Sequence, residues 1–433
     1  MSRSSVARPL TPRPLASRVT AALVAAVALT SCGFVNTDDE RSAGAVTAYV
    51  NTEQNTGLAP LVEAYRQATG AGVDVSSANT DELNQQIRVQ LTSGTAADVI
   101  RVSPGYSSPV AAGVLGAEGQ IADLSDAEWA GQLSPDTRAL AGVGGRVMAL
   151  PVARNAIVMA YNRDVFANAG LTPPTTWSQL LTACRTLRDA GVTPIAAPFQ
   201  GGIYLQYWVY ALAATLVYAP QPDIDAQMAA GATSFSTDAR WNEVFARFAE
   251  LNESGCFSDG MLGLPPDQGQ QSVATGGSAM LLTVSGGLPA LHGYHEAGAQ
   301  AFDVFALPAT DDTTQTHVPV APDFLAVNAA AKDPAAARAF LDFLARPENV
   351  AAYANAMGVL PGLAVDVEID STVLTPVLPY VEEGRTTAYA NYLWPNGDVQ
   401  QTLLQSGQEW LHGAIDTATL LGRMDADYAK GTP

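Results

Sequence analysis

The stretch AVTAYV at 45–50 is short, mostly apolar and rich in strand-forming residues. A polar segment, Asn51–Gly57, follows it. Leu58, Leu61, Val62 and Tyr65 then recur at the spacing of one helical face, and Gly70 and Gly72 end that helix. Val73–Val75 reads as a second strand. Asp81–Leu91 is helical through Leu83, Ile87 and Leu91, and DVIRV at 98–102 is a third strand closed by Ser103-Pro104-Gly105. Strand, helix, strand, helix, strand in this order predicts a parallel sheet with covering helices, the α/β class. Ligands of such sheets gather beyond the carboxyl ends of the strands. Those ends are Asn51–Asn55, Ser77–Thr80 and Ser103–Tyr106, which makes Glu53, Asn55, Asn79 and Tyr106 candidate contacts.

A second alternating block follows Gly145. Val147–Pro151, Ile157–Tyr161 and Thr193–Ala197 are strand-like. A helix opens at Thr176-Trp177, and a longer apolar helix over Ile203–Val217 carries Tyr204, Tyr207, Trp208 and Tyr210. Arg240–Glu250 and Pro334–Leu344 are amphipathic helices. Ala279–Val284, Phe302–Leu307 and Phe324–Val327 are further strands, and the tail from Val399 to Lys430 is largely helical.

Before residue 45 the chemistry changes. Residues 1–18 hold four arginines and no acid, and an apolar run from Val19 to Leu29 follows. That run suits a signal peptide and is too short to span a bilayer. It ends in Leu29-Thr30-Ser31-Cys32, which looks like the lipobox of bacterial lipoproteins. The expectation is cleavage after residue 31 and a lipid anchor on Cys32 at the extracytoplasmic face of the cell membrane. An ordinary secretory signal with an incidental cysteine is the alternative. Residues 32–44 are polar and aperiodic, and read as a flexible tether.

Cleavage there leaves 402 residues, too many for one core, so two domains are expected. The formal charge of −20 becomes about −24 without the four arginines. So acidic a body repels nucleic acid. Cys184 and Cys256 remain after Cys32, and either pair or stay as buried free thiols. Four histidines, with only His292 and His295 close together, do not make a metal site. Residues 276–280 (GGSAM) lack the last glycine of G-x-S-x-G, and no H-E-x-x-H occurs. A binding function is therefore favoured over an enzyme, with no cofactor. A glycosidase would need two carboxylates across a cleft, and acids are too numerous to exclude it by count.

Several blocks in order resemble family 1 extracellular solute-binding proteins, the sugar-binding components of ABC importers. They are GRVMALPV (145–152), YNRDVFANAGL (161–171), PPTTWSQL (173–180), GVTPI (191–195), GGSAM (276–280), and AVN (326–328) with AFLDFL (339–344). The resemblance as a whole covers essentially residues 45–430. The resemblance implies a two-lobed, periplasmic-binding-protein-like α/β fold with a hinge, an interlobe ligand cleft, and closure on the ligand. It implies crossing strands near Ala153–Asn155, Phe302–Val304 and Phe324–Ala326. One lobe would be 45–153 plus 304–325, and the other 154–303 plus 326–433. The implied partners are a mono- or oligosaccharide and the transmembrane subunits of an ABC permease, with a monomeric binding protein at the membrane.

Two departures bear on the ligand. The family often has a tryptophan after the strand that follows GGSAM, where this chain has Val284-Ser285-Gly286-Gly287. A Gly-Gly pair often precedes AVN, where this chain has Pro322-Asp323-Phe324. Sugar recognition needs flat aromatic faces for the C–H side of the ring and polar groups for its hydroxyls. The further candidates are Arg154 and Asn155 at the hinge, Tyr204, Tyr207 and Trp208 on one helical face, Ser285, Asp323, and the loop residues Asn391, Tyr392 and Trp394. A glycerophosphodiester, held by Arg154 or Arg385, is the second binding hypothesis. A role in sensing or scaffolding is the third class.

Overall fold

The computed structural model describes residues 45–200, 202–364 and 374–431, without the side chains of Glu53 and Asp81. The expected signal segment 1–31, Cys32 and the rest of the expected tether to residue 44 lie outside these residues, as does Gly201.

The strands are β1 Val46–Asn51, β2 Val73–Ala78, β3 Val99–Val102, β4 Leu150–Asn162, β5 Thr193–Ile195, β6 Ser278–Val284, β7 Phe302–Phe305, β8 Val318–Val327, β9 Leu360–Pro361 and β10 Thr386–Thr387. They run in the order β2-β1-β3-β8-β4-β6-β5, with β7 and β9 on β4 and β10 on β8. β1 lies parallel to β2 and β3, as the alternation at the start of the chain predicts. The later strands are mixed: β8 is antiparallel to β3 and β4, and β4 is antiparallel to β6 and β7.

The first helix begins earlier than the apolar spacing predicts. It spans Thr52–Thr69 because Asn51 and Gln54 form a capping box: Asn51 Oδ1 accepts the Gln54 N–H at 2.7 Å, and Gln54 Oε1 accepts the Asn51 N–H at 3.3 Å. The expected loop carrying Glu53 and Asn55 is therefore the first turn of a helix. Leu58, Leu61 and Tyr65 are buried beneath it.

Two hydrophobic cores form. One holds β1, the apolar residues Val99, Ile100 and Val102 of β3, Leu150–Ala153, Phe324–Val327, and the helices Pro334–Leu344 and Pro347–Met357. The other holds Ala156–Tyr161, β6 and β7, with the helices Ile203–Ala213 and Ala239–Glu253 and the C-terminal pair Asp398–Leu411 and Thr417–Tyr428. Strand β4, read as two strands in the sequence, is one strand of thirteen residues. It changes core between Ala153 and Ala156, and β8 changes between Ala321 and Phe324. At the change they pair as Ala153 with Asp323, Arg154 with Pro322, and Asn155 with Ala321.

The packing corrects the expected lobe boundaries. Phe302–Val304 does not cross, because β7 pairs with Met159–Asn162 and buries Phe302 and Val304 in the second core. Residues 304–321 accordingly pack with that core rather than with the first. Phe324–Leu344 belongs to the first core, and Leu363 still packs there, while Leu374 has joined the second.

Cys184 and Cys256, both buried, are bonded to each other. The bond ties the helix Trp177–Asp189 to the segment ahead of Phe257, which bridges to Ile195 of β5. It closes a separation of 72 residues. Loop-closure entropy puts its contribution at about 4–5 kcal/mol. Cys256→Ser should lower the melting temperature by roughly 5–10 °C, read by scanning calorimetry. An unchanged transition would show that the bond adds nothing to the second core.

Candidate functional site

The point where β4 and β8 change core forms a floor. Residues paired across antiparallel strands share a face, and neighbours along a strand alternate. Asp323, Asn155 and Ala321 therefore lie on one face, with Arg154 and Pro322 on the other. Asn155 is fixed on its face. Its Oδ1 accepts the Gly286 N–H at 3.0 Å and the Ser285 hydroxyl at 3.4 Å, and its backbone carbonyl accepts the Tyr389 hydroxyl at 3.1 Å. Ser285 Oγ in turn accepts the Ala156 N–H at 3.1 Å. A Cβ on Gly286 would stand 2.7 Å from Asn155 Oδ1, so this contact requires glycine. The sequence suggests Ser285–Gly287 as backbone donors toward a ligand. Instead Ser285 is fully buried and the Gly286 N–H is spent on Asn155.

Arg154 leaves the floor on its other side, where Nε donates to the Pro361 carbonyl of β9 at 2.9 Å. Burial lowers the pKa of its guanidinium.

Tyrosines make the wall. Tyr389 and Tyr392 stack with centroids 5.6 Å apart and planes within 8°. Tyr210 lies 6.1 Å from Tyr389, and Tyr204 meets Tyr207 edge-on at 5.5 Å. Gln270 Nε2 donates to the Tyr204 hydroxyl at 3.2 Å. Desolvation pushes the Tyr392 phenol up to about 12, with Arg101 pulling it down and Asp323 pushing it up. Desolvation likewise raises Tyr207, reinforced by Tyr204 and Tyr392. Tyr392 packs against both cores.

The first core supplies the facing side. Arg101 Nη1 donates to Asn84 Oδ1 at 3.0 Å and to Ser103 Oγ at 3.2 Å, and Nε lies 3.8 Å from Asp323 Oδ1. The loop after β3 meets the loop 390–397. Asn391 Nδ2 donates to Ser107 Oγ at 3.4 Å and to Gln400 Oε1 at 3.3 Å. Gly105, at φ 64°, has no room for a Cβ against the Tyr392 carbonyl.

Asn155, Tyr204, Tyr207, Ser285, Asp323, Asn391 and Tyr392 are thus drawn to one region, as linings or supports. The others are placed elsewhere. Trp208 is 1% exposed and packs on Phe248 and Phe257, and Trp394 is fully buried against Tyr210 and Phe235. Both are core residues because the helical stripe and the loop bury their largest members. Asn79 caps the helix Thr80–Ser93, accepting the Glu82 N–H at 3.0 Å, and Asn55 donates to Ser77 Oγ at 3.3 Å. Both bonds are exposed, and the first lies within one helix start. Tyr106 lies against Gly113, where a Cβ would strike its ring. The side chain of Glu53 is outside the described residues. His292 and His295 flank the Phe302 ring.

Sequence reading missed Arg101, Tyr210 and Tyr389. Arg101 had a signal, as a cation inside the buried strand VIRV. Tyr389 had none, because only the fold brings its hydroxyl to Asn155.

The bacterial extracellular solute-binding protein family matches residues 50–351. The chain belongs to that family. A melibiose/raffinose/stachyose-binding protein, MelE of Bacillus subtilis, is 29% identical over 92 residues, 20% of this chain and 22% of that protein. The chain therefore spans about a fifth of the length of this curated relative in the match. The fold is shared with RafE of Streptococcus pneumoniae in its apo form (TM-score 0.72, 18% identity, 89% of this chain and 98% of that one). It is also shared with a sugar transporter of Bacillus licheniformis in complex with stachyose (TM-score 0.67, 19% identity, 89% and 99%). The fold so shared is the two-lobed α/β fold of solute-binding proteins.

The placement of the two neighbours on the aromatic helix can be tested. Trp208→Ala should cost about 3–5 kcal/mol of stability, whereas Tyr207→Ala, at a partly exposed position, should cost less than about a third of that. Denaturant unfolding compares them. Equal losses would put Tyr207 in the core as well.

Proposed function

We propose that this solute-binding protein captures a neutral mono- or oligosaccharide between its lobes and delivers it to an ABC permease, without chemical change to the sugar. The carrying observation is the tyrosine wall, with the stacked pair Tyr389–Tyr392, set beside the polar floor of Asn155, Asp323 and Arg101. Flat rings cover the C–H face of a pyranose, and converging polar groups satisfy its hydroxyls. The tyrosines take the place of the tryptophan that the sequence lacks after β6. The relatives named for melibiose, raffinose and stachyose support the same class.

The phosphodiester reading needs an unspent cation in the cleft, and its two candidates do not offer one. Arg154 turns to Pro361 on the opposite face of the floor. Arg385 is held by Glu383 at 2.7 Å and the Thr316 carbonyl at 3.1 Å, with its guanidinium over Tyr380. Among the described residues, the arginine beside the stacked tyrosines is Arg101, and it faces a carboxylate.

In this reading Cys32 carries the lipid that keeps the protein on the extracytoplasmic face, and the polar tether lets the lobes reach the permease. Closure follows from the ligand's greater affinity for the shut arrangement.

Isothermal calorimetry against raffinose, stachyose, chitin and xylan oligosaccharides and glycerophosphodiesters tests the ligand class. A neutral sugar should bind, and at a hundred times its Kd should stabilise the fold by about 2.7 kcal/mol. Binding of a phosphodiester with no response to any sugar would overturn the proposal. For the anchor, Cys32→Ala should move the protein from the membrane to the soluble fraction with its ligand affinity intact. Continued membrane retention after signal removal would remove the lipid from the account.

A further inference from the structure

Arg101 is the one residue of β3 that is not apolar, and its side chain is only 11% exposed. Two hydrogen bonds, to Asn84 and Ser103, hold Nη1. Nε is buried and has no hydrogen-bond partner among the described residues. A buried donor left unpaired is costly, and such groups are retained where something else completes them. Asp323 Oδ1 stands 3.8 Å from Nε, close enough to balance the charge and too far to accept its proton. Asp323 occupies the place in β8 where the strand changes core, opposite Ala153. Beside the pair lies Tyr392, stacked on Tyr389.

We propose that Arg101 and Asp323 form a specificity pair. Arg101 Nε donates to one hydroxyl oxygen of the bound sugar, and Asp323 accepts from that hydroxyl or its neighbour, while the ring lies along Tyr392. The inference rests on the carbohydrate reading above and adds to it the choice among sugars. The two charges cancel, so the pair serves a neutral diol. An acidic sugar placing its carboxylate there meets Asp323 at close range and is rejected. A deoxy sugar leaves the Arg101 donor unpaired, and sites built around hydrogen bonds discriminate strongly against such analogues.

The test uses the purified chain and calorimetry. The probes are the tightest neutral sugar among raffinose, stachyose, chitobiose and xylobiose, its monodeoxy analogues and its uronate counterpart. The wild type should bind one of the deoxy analogues about 10- to 100-fold more weakly than the parent sugar. Arg101→Lys keeps the charge and removes the Nε donor. Asp323→Asn keeps the shape and removes the carboxylate. Each should weaken the parent sugar at least about tenfold, and bring the parent-to-deoxy ratio to near one. Asp323→Asn should also gain affinity for the uronate, because Arg101 is then unbalanced. If the variants bind as the wild type does, or weaken every analogue by one common factor, the pair is only a strut between β3 and β8 and the proposal is overturned. If Asp323→Asn does not fold, the ratio measured on Arg101→Lys decides. A wild type that binds no sugar at all overturns instead the carbohydrate reading on which the pair depends.

Discussion

The antiparallel pairing of β4 with β8 is the constraint on which the rest depends. Each strand is long enough to serve two cores, and each changes core at the same level of the ladder. Backbone hydrogen bonds at that level satisfy the chain where neither core can cover it. The side chains there need not be apolar, and this is where Arg154, Asn155, Pro322 and Asp323 stand. A crossing made of two extended strands bends more readily than a packed core shears, which is the mechanical requirement of a hinge.

From this floor the site assembles by short steps. Asn155 is locked through Ser285 and Gly286 from β6 and through the Tyr389 hydroxyl from the C-terminal region. Tyr389 then fixes Tyr392 by stacking, and Tyr392 touches both cores. The facing side brings one charge, Arg101, already matched by Asp323. A chain of formal charge −20 thereby presents a local surface balanced in charge and rich in rings.

The α/β class and a parallel sheet of the first three strands were legible in the sequence because local periodicity and the strand–helix alternation decide them. The pairing of Cys184 with Cys256 was left open, since 72 residues separate the two and only the packed helix and strand bring them together. The lobe boundary after β6 was misread for a physical reason. Residues 302–305 are as apolar as any crossing strand, and only the partner, the second half of β4, shows that they stay in one core. Trp208 and Trp394 attracted a binding role through their chemistry, and their volume put them inside instead. Asn51 and Asn79 illustrate the same ambiguity at helix starts, where a strand-end amide and a helix cap have identical sequence signatures.

If the two cores joined at the β4–β8 crossing close around a sugar, as proposed, the chain becomes more compact on binding. Small-angle X-ray scattering of the purified chain, with and without a sugar shown by calorimetry to saturate it, measures this directly. The radius of gyration should be smaller in the bound state. Saturated binding with an unchanged radius would contradict it.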